Sequence, residues 1–255
     1  MRNVFDRREF RHASTRKPER LFTMALLAAS AWGVGMTQAA AGEVTGTLAV
    51  LSHYKWAGAD QNFYEDKNVF PTAQASVFYS FDNGIYVGNW ASTIKFLDNN
   101  RIDSTAYLGY FTKLGPGALD LSVGYNFYPG AAYANTTALY GIYSWSYFAL
   151  KWTGVISEKY VGLPEGRGRQ AIALAGKYDL NESWAVKGEI GRLFLTSGLR
   201  QQGLQQKAWY LVGLDYKLQK DLILGAVLTG AEPINAQRIG YRDKSRVVLS
   251  LTKNF

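Results

Sequence analysis

Cysteine is absent from the 255-residue chain. That excludes thiolate catalysis, disulfide staples and cysteine-ligated zinc, although it does not fix the redox compartment. Histidine is scarce as well, and beyond residue 41 only His53 remains. A lone histidine offers little to hydrolytic catalysis, which needs a base within hydrogen-bond reach of its nucleophile. Ser52 is adjacent, but successive strand residues point to opposite faces, so the two cannot pair directly. Proline is limited to six residues, so little in the composition opposes long strands. After residue 41 no apolar run is long enough to cross a membrane as a helix, and no segment shows convincing helical periodicity.

What the chain has is aromatics (15%), 26 glycines and a formal net charge of +8. Half of that charge sits in residues 1–41, which hold seven basic residues (Arg2, Arg7, Arg8, Arg11, Arg16, Lys17, Arg20) and three acids. The remainder is only mildly basic, which argues against reading the high pI as a nucleic-acid patch. Leu21 to Met36 is apolar and small, and Thr37-Gln38-Ala39-Ala40-Ala41-Gly42 follows. This is the order of a secretory signal, so residues 1–41 are expected to be a signal peptide cleaved after Ala41 and residues 42–255 the mature domain. Asp6-Arg7-Arg8-Glu9-Phe10 resembles a twin-arginine export motif. An upstream start codon that lengthens the basic region accounts for it equally.

From Val44 the sequence resolves into twelve alternating segments: 44–54, 73–81, 85–96, 102–112, 118–128, 136–144, 147–157, 169–180, 184–195, 207–218, 221–231 and 245–255. Asp82-Asn83-Gly84 joins the second to the third, where Asn-Gly suits a tight hairpin turn. Connections alternate between short turns and longer loops. That alternation, an even strand count and segments near the nine to eleven or so residues of a tilted spanning strand predict a fold class. It is all-β: a closed antiparallel transmembrane β-barrel of about 12 strands, with short periplasmic turns and longer extracellular loops.

The apolar faces carry aromatics near strand ends. Tyr86, Phe96, Phe127, Trp152, Trp184 and Tyr216 are expected to form the interfacial girdles. Mid-strand charge falls on the other faces. Lys95, Asp103, Asp120, Lys151, Lys177, Lys187, Glu189, Asp215, Lys217 and Arg246 are expected to line the lumen, with a small positive surplus. Lys–acid pairs across neighbouring strands are the structural alternative. Arg167, Arg169, Arg200, Arg238, Arg242 and Lys244 lie in or beside the long loops, where a solvated basic surface is expected. Asp60 and Asp66 lack the spacing of an EF-hand calcium loop, and Gly166-Arg167-Gly168 opens no helix that would hold phosphate.

Three stretches are similar to the TorF-type porin family of proteobacteria: Ser52-His53-Tyr54-Lys55-Trp56-Ala57-Gly58, Asp82 to Ser92, and Val123 to Gly130. Where similar proteins carry Arg-Gly in the first stretch, this chain has Ala57-Gly58. Val247 to Phe255 resembles the C-terminal signal that outer-membrane proteins present to the barrel assembly machinery, with Phe255 as its terminal aromatic. The resemblance implies a Gram-negative outer-membrane pore and supplies no catalytic residues. The expected function is therefore a porin passing small hydrophilic solutes with weak anion preference, with no cofactor or metal. A non-conducting structural or adhesive barrel, or a lipid-modifying enzyme using His53, is the alternative. Expected partners are outer-membrane lipid and lipopolysaccharide, the assembly machinery and small solutes, and not nucleic acid.

Overall fold

A computed structural model describes residues 42–61, 69–95, 101–233 and 244–255. The expected signal peptide, Phe96, Asp66, Arg238 and Arg242 lie outside the described residues. Twelve antiparallel strands close into one barrel. We number them β1 (Glu43–Leu51), β2 (Thr72–Ser80), β3 (Ile85–Thr93), β4 (Ile102–Leu114), β5 (Gly117–Phe127), β6 (Thr136–Trp145), β7 (Phe148–Val155), β8 (Gln170–Asp179), β9 (Trp184–Phe194), β10 (Lys207–Gln219), β11 (Leu222–Pro233) and β12 (Arg246–Asn254). Each strand pairs with its chain neighbours, and β1 pairs with β12, from Thr47 opposite Asn254 to Leu51 opposite Ser250. Among the described residues the closed barrel has no edge strand, as a solvent without hydrogen bonds requires.

The closing seam is completed by the last residue. Phe255 O accepts from Gly46 N at 2.9 Å, and Phe255 N donates back to Gly46 O at 3.1 Å. Its ring covers Gly46, where a Cβ would come within 2.4 Å of the ring carbons. The turn at 81–84 differs from a two-residue Asn-Gly hairpin. Only Gly84 takes a positive φ there (+84°). Asn83 instead accepts from Ile85 N through its side-chain Oδ1 at 3.1 Å.

The outer wall is apolar, with Leu48, Val77, Leu108, Leu121, Leu174, Ile190, Val212, Leu228, Val247 and Leu249 all exposed. An exposed apolar surface encircling the molecule is far larger than water tolerates and suits a lipid bilayer. Phe127, Trp152, Trp184 and Tyr216 lie on this outer face, with Trp184 and Tyr216 ring centroids 4.7 Å apart.

Tyr86, expected in the outer girdle, faces the lumen. It is 3% exposed and points inward, donating its hydroxyl to Asp120 Oδ1 at 2.7 Å. The face expected to meet lipid on β3 is the lumen face, and Val87 with Ile85 points outward instead. The physical reason is a cross-strand ladder of rings over glycines. Phe78 sits opposite Gly88, Tyr86 opposite Gly109 and Tyr107 opposite Gly124. A Cβ at Gly88 would lie 2.1 Å from the Phe78 ring, and one at Gly109 2.2 Å from the Tyr86 ring. The missing side chains let the rings lie flat along the inner wall and fill that half of the barrel.

Candidate functional site

The site is the barrel interior, and its main occupant comes from the β1–β2 connection. The first strand ends at Leu51, and the chain then turns inward. Lys55–Trp56 and Ala59–Asp60 form a miniature antiparallel ladder. Its two turn residues, Ala57 and Gly58, both take positive φ (+47° and +71°). That is the backbone of a tight two-residue hairpin. The tip reaches the β11 wall, where a Cβ on Gly58 would lie 2.2 Å from Gly230 O. Ala57 packs in a buried cluster with Ala171, Ala173, Leu193, Leu199, Trp209 and Ala231. Tyr54 packs with Ile94, Tyr128, Ala131 and Ala134, and its ring lies 5.8 Å from that of Trp90. Burial raises the Tyr54 phenol pKa well above its usual value, and the charge of Asp103 adds to this, so Tyr54 stays neutral.

The hairpin is held by ions. Arg246 Nε lies 2.9 Å from Asp60 Oδ2, and Lys55 Nζ lies 3.4 Å from Asp60 Oδ1. Lys55 Nζ also donates to Lys244 O at 2.9 Å. Asp60 is thus committed to two cations. His53 is 3% exposed, and its Nδ1 accepts from Phe70 N at 3.3 Å. Ser52 Oγ accepts from Leu249 N at 2.9 Å across the barrel seam, so Ser52 serves the wall.

The wall from β7 to β10 carries the charge. Lys151 Nζ lies 2.9 Å from Glu189 Oε2, and Trp209 Nε1 donates to Glu189 Oε1 at 2.8 Å. The Lys151–Glu189 bond spans from β7 to β9 and crosses β8 where that strand offers only Ala173 and Ala175. Lys187 Nζ lies 2.6 Å from Asp215 Oδ1. Gly225 makes room for this pair, since a Cβ there would stand 3.1 Å from Asp215 Oδ1. Towards the short turns, Lys217 approaches Asp179 at 3.7 Å, both partly exposed, and Lys177 is half-buried. Asp103 is buried, with Oδ1 lacking a hydrogen-bond partner. Lys95 lies past the end of β3, half-buried, and its N–H donates to Gln61 O at 3.3 Å. It is not part of the strand wall.

Beside the hairpin a pocket remains. His53, Tyr54 and Lys55 line one side, and Lys187, Val227, Thr229, Val248 and Ser250 line the barrel side. It connects the root of the hairpin with the charged wall through Lys187. The residues missed from sequence are those of the hairpin, above all Lys55, Trp56 and Asp60. The sequence offers Ala57-Gly58 as a turn between Lys55 and Asp60, and nothing in it that sends the turn into the barrel. Arg169, expected on a solvated surface, is 1% exposed.

An apolar belt outside, paired charge inside and an inward hairpin define a closed twelve-stranded barrel of the outer-membrane type. By sequence, the chain belongs to the family described as a bacterial protein of unknown function (Gcw_chp), whose model matches residues 36–255. No curated protein sequence matches it significantly. Similar solved structures include a membrane protein from work on in-meso crystallization, with TM-score 0.52, 11% identity and 83% of each chain covered. The KdgM porin solved with disordered oligogalacturonate is similar at TM-score 0.50 and 10% identity, over 84% of this chain and 99% of that one. The outer-membrane protein Omp33 of Acinetobacter baumannii aligns at TM-score 0.46 and 10% identity, over 86% of this chain and 100% of its own. These likenesses concern the fold.

Proposed function

We propose that the protein is an outer-membrane channel for small hydrophilic solutes, narrowed by the Lys55–Asp60 hairpin. One observation carries this reading. A charged inner wall runs from Lys151 and Glu189 through Lys187 and Asp215 to Lys177, Lys217 and Asp179, and the pocket beside the hairpin adjoins it at Lys187. Eight strands fill with side chains and sixteen or more leave a wide channel, so about twelve strands with one inserted hairpin suit a narrow path. Pairing neutralises most of this charge. Arg169, Lys177 and the second cation at Asp60 stand against Asp103 and Asp120, and the small positive surplus supports only a weak preference for anions.

The TorF-type resemblance, a cleaved export signal, delivery by the barrel assembly machinery and a lipopolysaccharide-facing loop surface belong to the same reading. The hairpin lying across the lumen favours a second reading, a non-conducting barrel with a structural role. Planar-bilayer recording of the refolded mature chain under a salt gradient separates the two. Discrete steps with a reversal potential displaced towards the anion support the channel and its preference. A folded, heat-modifiable barrel without steps supports the second reading.

A further inference from the structure

The end of the β7–β8 connection buries an arginine with no ionic partner among the described residues. Arg169 is 1% exposed, and its guanidinium carbon lies 4.5 Å from the Trp56 ring centroid and 4.2 Å from that of Tyr160. Trp56 belongs to the inward hairpin and Tyr160 to the connection itself, so the cation is stacked between a lumen element and a loop. Its backbone is fixed: Arg169 N donates to Gly166 O at 3.1 Å and Arg169 O accepts from Val155 N at 2.9 Å.

The side chain is not satisfied. Nε and Nη2 are both buried and have no hydrogen-bond partner. These two atoms form one edge of the planar guanidinium, with two roughly parallel N–H bonds spaced for the two oxygens of a carboxylate. Leaving charged donors buried and unbonded is costly, so such an edge is ordinarily occupied. The titratable groups closest in effect are phenols, those of Tyr160, Tyr140 and Tyr128. Asp60 is committed to Lys55 and Arg246, and Glu189 to Lys151 and Trp209; Glu158 and Glu165 on the connection are exposed, and no ion pair among the described residues joins them or the buried Asp103 to Arg169.

We propose that Arg169 is a seat for the carboxylate of a solute in the lumen. Two rings lie against the guanidinium, and the donors left without a partner are those of its Nε–Nη2 edge. A flat carboxylate lying in the guanidinium plane meets both donors, whereas a halide meets them at one point and a tetrahedral phosphate extends above and below the plane towards the rings. This names a substrate class for the channel reading and rests on it for the route by which a solute arrives.

The test is saturation-transfer NMR of acetate on the refolded mature chain in micelles, at constant ionic strength, with chloride or inorganic phosphate as competitor. The expected result is a saturable acetate signal that weakens about tenfold or more in Arg169→Gln. Arg169→Lys, which keeps the charge but not the two-donor edge, is expected to weaken it at least severalfold and serves alone where the glutamine variant does not fold. An unchanged signal in a folded variant, or phosphate binding more tightly than acetate, overturns the proposal. Conductance without an acetate signal removes the seat and leaves the channel. An Arg169-dependent acetate signal in a barrel that never conducts removes the channel and leaves the seat.

Discussion

Arg246 on the last barrel strand and Asp60 on the inward hairpin are joined by a 2.9 Å bond, with Asp60 only 2% exposed. A residue near the start of the barrel is thereby tied to one near its end, beside the seam where β1 meets β12. Asp60→Ala would leave two cations, Arg246 and Lys55, without their shared partner. Removing one member of a buried pair costs about 3–5 kcal/mol. Urea unfolding in micelles is expected to show a loss of that order, and bilayer recordings a larger conductance as the hairpin loosens. Unchanged stability would remove the ionic anchor from the account.

The Lys187–Asp215 pair, at 2.6 Å, gives a different test. Lys187→Met alone strands a buried carboxylate and is expected to destabilise by about 3–5 kcal/mol. Adding Asp215→Leu is expected to restore most of that stability, because an apolar pair of similar volume often matches a buried ionic one. A double variant no better than the single one would show that the two side chains act independently.

Tyr86→Phe deletes the hydroxyl that meets Asp120 at 2.7 Å. With Asp120 buried, the expected cost is about 1–3 kcal/mol in the same unfolding assay. A lipid-facing tyrosine would tolerate this change, so an unaltered midpoint would return Tyr86 to the outer girdle.

The twelve strands were legible because period-2 alternation persists from β1 to β12 and lipid forbids charge on one face. The outward setting of Phe127, Trp152, Trp184 and Tyr216 follows the same rule. Tyr86 broke it because aromatics fill the lumen as readily as they line an interface. In β3 the outward face carries Asn89 and Thr93 beside Ile85 and Val87 while the inward face carries Tyr86 and Trp90, so polarity misleads, and only Gly88 opposite Phe78 and Gly109 opposite Tyr86 mark the inner face. The hairpin at Lys55–Asp60 was illegible for another reason. Residues that follow a strand with no alternation read as a loop, and nothing local says that a loop folds inward. Arg169 was misjudged likewise, since its rings come from Trp56 and Tyr160, one of them more than a hundred positions away.

Val212 is exposed on the outer face of β10. Val212→Arg is expected to cost about 2–4 kcal/mol in phospholipid vesicles if that face meets the bilayer interior. A cost near zero would mean that this surface is wet.

Single-channel recording of residues 42–255 beside Gly58→Val tests whether the charged lumen conducts past the Lys55–Asp60 hairpin. Gly58 has φ +71°, and a Cβ there would stand 2.2 Å from Gly230 O. Valine therefore forces the hairpin tip off the β11 wall. Discrete steps are expected in the unaltered chain and severalfold larger steps in the variant. Two folded barrels that pass no current would contradict conduction past the hairpin.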